Sequence, residues 1–84
     1  MQDAALGEYV TAWPVWGDKR SMGKIQGIIV AIGEKTITVK TPKQGSFTCD
    51  PQVGAIKKDS IFPPARMFVD QEREELGLEA VIWD

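Results

Sequence analysis

Two back-to-back runs of β-branched residues constrain this chain more than any other feature. Lys24-Ile25-Gln26-Gly27-Ile28-Ile29-Val30-Ala31-Ile32 is apolar at positions of both parities, while Lys35-Thr36-Ile37-Thr38-Val39-Lys40-Thr41 alternates. Alternation with a period of two marks a strand that buries one face, here Ile37 and Val39, and wets the other with Thr36, Thr38 and Lys40. Gly33-Glu34 between the runs has the Gly-X form of a two-residue II′ turn, so the pair reads as a hairpin. Apolar residues of both parities predict a central, strongly bent strand, with Gly27 as its bulge or coil point.

The flanking segments are shorter. Residues 1–7 carry no pattern and are expected to fray. Glu8-Tyr9-Val10-Thr11-Ala12-Trp13 is β-like, and Pro14, which lacks an N–H, ends, bends or edges it. Residues 17–22 are a polar loop. Pro42-Lys43-Gln44-Gly45 is a turn before the short strand Ser46-Phe47-Thr48-Cys49, and 53–62 holds another short strand or a 3₁₀ turn. Pro64 and Gly77 bracket a short helix over 65–76, chosen over the strand that Met67-Phe68-Val69 would also suit. Leu78 to Trp83 reads as a last strand.

One domain over 1–84 follows from this length, mainly all-β: a small, strongly bent barrel of five to six strands with one short C-terminal helix. The order of long loop, hairpin, tight turn, short strand and 3₁₀-like link is similar to that of the SH3-like small barrels. Within it, Gly23-Lys24-Ile25-Gln26-Gly27-Ile28-Ile29-Val30 resembles the opening of a KOW element, over about residues 23–41. That resemblance implies kinship with RNA-linked small barrels; the acidic C-terminal part has no counterpart in the element.

Composition excludes much of catalysis. There is no histidine and a single cysteine, Cys49, so Ser-His-Asp, Cys-His and four-ligand zinc schemes are all unavailable. Carboxylate pairs remain, but so small a core offers little to desolvate them. Glu72, Glu74 and Glu75 lack the spacing of a calcium loop. The expectation is therefore a non-enzyme with no cofactor, no metal site and no catalytic residue. The longest apolar run, Ile28 to Ile32, is far short of the roughly 20 residues that span a bilayer. A lone cysteine, and no leading stretch that reads as a secretion signal, make a reducing, cytoplasmic setting the expected one.

Charge is segregated beneath a formal net charge of −2. Residues 19–58 carry eight basic side chains against Glu34 and Asp50, a balance of +6. Residues 70–84 carry six acids against Arg73, a balance of −5. Two function classes follow. In the first, the chain is an adaptor or accessory protein that docks on a partner protein of unknown identity through Tyr9, Trp13 and Trp16, with Glu72 and Glu75 from the acidic end. Trp13 and Trp16 stand three apart and face opposite ways along an extended strand, so at least one is expected to be partly exposed. In the second, Lys19, Arg20, Lys24, Lys40 and Lys43 follow a nucleic-acid backbone while Trp16 or Tyr9 stacks on a base. Protein binding ranks first, because the −5 segment repels a polyanion at close range. Cys49 reads as a small buried hydrophobe and Trp83 as a core residue that ties the last strand to the barrel. The bland alternative for the charges is that the lysines only solubilise a small sheet and the acids are a solvated helix face. Oligomeric state is open.

Overall fold

The computed structural model describes residues 5–15 and 23–83. Five strands appear in order: β1 (Tyr9–Ala12), β2 (Ile25–Ile32), β3 (Ile37–Thr41), β4 (Gly45–Cys49) and β5 (Gly54–Ala55). A 3₁₀ turn at Lys58–Ser60 leads into one helix, α1 (Pro63–Glu75). Every strand pairing is antiparallel, in a single sheet of order β4-β3-β2-β1-β5. Among the described residues the protein is thus mainly β with one short helix, as its sequence predicts. The ladder does not close into a ring.

The central hairpin forms, with two corrections. Ile29 pairs with Val39 but Ala31 with Thr38, so the bulge is at Val30 rather than Gly27. That extra residue moves the reversal along the chain. Ile32 faces Ile37, Gly33 N–H donates to the Thr36 carbonyl at 2.9 Å, and Glu34 and Lys35 take the corners. Gly33 does not have positive φ, so the expected Gly33-Glu34 II′ turn is absent. Gly27 serves instead as the point of closest approach between strands. A Cβ there would lie 2.5 Å from the Lys40 carbonyl oxygen and 2.8 Å from Val39 Cγ1.

β2 is buried on both faces around Ile28 and Ile29, while Ala31 and Ile32 at its end stay exposed. Ile25 and Ile29 join Val10, Ala12, Ile37, Val39, Cys49 and Val53 in one buried cluster, with Phe47 packed at its margin. Ile28 is equally buried but stands outside that cluster. Its cross-strand partners are Tyr9 on β1 and Lys40 on β3, and Lys40 reaches Glu72 of α1. Ile28 therefore lies on the second face, which α1 covers with its own buried side, Ala65, Val69 and Glu72.

Helix α1 begins at Pro63-Pro64, positions where a missing N–H costs nothing. It ends at Gly77, φ +76°, in a Schellman motif: Gly77 N–H donates to the Glu74 carbonyl at 3.0 Å and Leu78 N–H to that of Arg73 at 2.9 Å. The following segment, 78–83, is not the last strand expected of it, for it joins no ladder. β5 is only two residues long, and a flank of α1 captures the chain instead. Arg73 Nε donates to the Glu79 carbonyl at 2.8 Å, Lys58 Nζ to that of Ile82, and Trp83 Nε1 to both Asp70 carboxylate oxygens at 3.1 Å. The Arg66 guanidinium stands 5.2 Å from the centre of the Trp83 ring. Trp83 is half-buried against the helix rather than in the core. Of residues 1–7, expected to fray, the described ones are already held at Gly7, whose N–H donates to the Ile29 carbonyl at 2.8 Å.

Candidate binding cleft

Pro14 sets the geometry of the best candidate site. Beyond β1 the chain crosses to β4, where Pro14 and Cys49 form an isolated antiparallel bridge. The bonds fall on either side of the proline: Asp50 N–H donates to the Trp13 carbonyl at 2.9 Å and Val15 N–H to the Thr48 carbonyl at 3.0 Å. Pro14 occupies the position of an antiparallel pair that needs no N–H, so the ring is accommodated and even buried. Its neighbour Trp13 is pinned at the backbone and left 46% exposed.

Trp13, Asp50, Gln52 and Val53 line an open cleft of about 390 Å³. Val53 is its apolar floor, 6% exposed and part of the core. Asp50 Oδ1 accepts the Gln52 N–H at 2.9 Å, which fixes the 50–52 turn that forms one wall. An aromatic face, an apolar floor, a carboxylate and an amide thus converge on one small concavity. Such a mixture offers an entering group both apolar contact and hydrogen-bond partners.

The thiol nearest the cleft is inert. Cys49 is fully buried, and burial pushes its pKa up to about 11. The neutral thiol, not a reactive thiolate, is the species present. Among the described residues no group of three or more His, Cys, Asp or Glu side chains gathers to hold a metal ion. Among them, too, no helix is long and apolar enough to cross a membrane.

The sequence-derived site residues separate. Trp13 lines the cleft; Tyr9 does not, since it shares a face with Ile28 and is half-buried there, which raises its phenol pKa by desolvation. Trp16, Lys19 and Arg20 lie outside the described residues. Lys24 and Lys43 are exposed. Lys40 and Glu72, assigned to opposite hypotheses, bind each other at 2.8 Å, and Glu72 is only 8% exposed. Glu75 remains exposed and adds a weaker attraction to Lys40. Asp50, Gln52 and Val53 went unnoticed as site residues. They lie about 40 positions from Trp13, and only the bridge at Pro14 brings them to it.

No family model, curated protein or solved structure matches the chain. The cleft's own geometry therefore carries the functional argument.

Proposed function

We propose that this protein is a non-catalytic binding module that docks on a partner protein through the Trp13 cleft. The observation that carries the reading is a tryptophan with 46% of its surface exposed, its carbonyl accepting from Asp50 N–H beside the Pro14–Cys49 bridge. An exposed indole on a bonded stretch of backbone supplies a large area to bury on contact, the property of an interface anchor. A sequence without histidine and a buried, protonated Cys49 both support binding over catalysis. Glu72 drops out of the expected docking surface, because its carboxylate is already spent on Lys40. We read the sheet as a half-open, SH3-like barrel, a reading supported by the Pro14–Cys49 bridge between the β1 extension and β4.

Affinity capture with the tagged chain, compared with Trp13→Ala, tests this. A bound protein lost on substitution while the far-UV circular dichroism is unchanged supports the reading; a protein retained by the variant contradicts it. Oligonucleotide titration at two salt concentrations is the counter-test. Tight binding that weakens steeply with salt would replace protein docking by phosphate contact.

A further inference from the structure

We infer that the Trp13 cleft receives an arginine side chain of the partner, stacked on the indole and paired with the Asp50 carboxylate. This deepens the docking proposal and rests on it. The lining is chemically lopsided: the described residues bring one carboxylate, one amide, one apolar side chain and a half-exposed indole, and no cation. An indole face attracts a cation through its quadrupole, and a carboxylate beside it adds direct attraction. A guanidinium satisfies both at once, since its plane lies flat on the ring while its edge donates to the carboxylate. An ammonium is more strongly hydrated and has no such plane. A phosphate is repelled by Asp50, and a purely apolar side chain leaves the carboxylate desolvated.

The chain brings the same three residue types together elsewhere, in a different arrangement. On α1 the Arg66 guanidinium stands 5.2 Å from the Trp83 ring centre, and the Trp83 N–H meets the Asp70 carboxylate at 3.1 Å. That cluster shows a guanidinium over an indole, with the Arg66 Nε–H given to the Ile61 carbonyl and the carboxylate to the indole N–H. In the cleft a backbone bond from Asp50 N–H to the Trp13 carbonyl sets the two residues side by side, and the Gln52 N–H orients the Asp50 carboxylate.

The test uses the full chain, labelled with nitrogen-15, and two short blocked peptides differing only at one residue, arginine or its neutral isostere citrulline. The arginine peptide should shift the Trp13 indole N–H and the amides of Asp50, Gln52 and Val53, and bind roughly fivefold tighter than the citrulline peptide. Asp50→Asn should diminish that preference to the part the indole supplies, while leaving the rest of the spectrum in place. Equal binding of the two peptides, shifts located elsewhere, or a preference undiminished by Asp50→Asn would each overturn the inference. Failure of the wider proposal looks different. If partner capture needs Trp13 but neither peptide binds, docking stands and the arginine falls. If capture ignores Trp13, the docking site itself is wrong.

Discussion

Lys40 on β3 donates to Glu72 on α1 at 2.8 Å, joining the sheet to its only described helix across 32 positions of sequence. The two ends are not equivalent: the lysine side chain retains 40% of its exposure and the glutamate 11%. Removing the lysine strands a carboxylate in a nearly closed site, whereas removing the glutamate leaves an amine that water can still reach. Lys40→Met should therefore lower the thermal midpoint more than Glu72→Gln does, although each deletes the same contact. Parallel melts of the two variants and the parent check the order.

Gly27 is the point where β2 cannot carry a side chain. Its φ is not positive, so the demand is for space rather than for left-handed backbone. A methyl group 2.5 Å from the Lys40 carbonyl must push β2 away from β3. Gly27→Ala should cost about 3 kcal/mol by urea unfolding. Gly45→Ala, at φ +82° in the open turn after β3, meets no neighbour and should cost only about 1 kcal/mol, the backbone penalty alone.

The contrast between those glycines shows how much was legible beforehand. Local signals were read correctly where local chemistry decides: the alternation of Ile37 and Val39, the Pro42–Gly45 turn, and a helix between Pro64 and Gly77. Errors arose where a distant partner decides. The bulge at Val30 is a matter of the register of β2 against β3, and 78–83 has strand-like composition but is taken up by Arg66, Asp70 and Arg73. The candidate site failed in the same way. Trp13 and Pro14 stand out in the sequence, yet the walls opposite them come from 50–53, and nothing local announces that a proline will bridge to Cys49. Charge segregation also misled, since Lys40 and Glu72 neutralise each other inside the fold.

The segment after α1 is held by side chains rather than by a ladder, so it should loosen one contact at a time. Trp83→Phe keeps a ring beneath Arg66 and removes the N–H that Asp70 accepts. The expected loss is about 1 kcal/mol of stability. Arg73→Ala should do more local damage, because this one guanidinium donates both to the Glu79 carbonyl at 2.8 Å and to the Gly7 carbonyl at 3.1 Å. Amide hydrogen exchange should then quicken at both ends of the described chain, near Gly7 and over 78–83, while β2 and β3 stay protected.

Alkaline pH should find the core through Cys49. Its thiol is raised by burial from 9.0 to about 11, so between those values the unfolded chain releases a proton that the folded chain keeps. A raised pKa contributes stability that is complete below pH 9 and drains away as pH climbs through 11. Tyr9, raised by desolvation, and Lys40, raised chiefly by its hydrogen bond to Glu72, act with the same sign from about pH 10 upward. The urea midpoint should hold steady to pH 9 and then fall. Cys49→Ala begins from a lower midpoint, because it opens a small cavity, but its curve should stay flat until pH 10. A thiol-specific reagent gives an independent reading: modification of the folded parent should be slow at pH 8 and accelerate only with unfolding. Prompt labelling of the native protein would mean that Cys49 is reached by solvent and that the wall behind the Trp13 cleft opens.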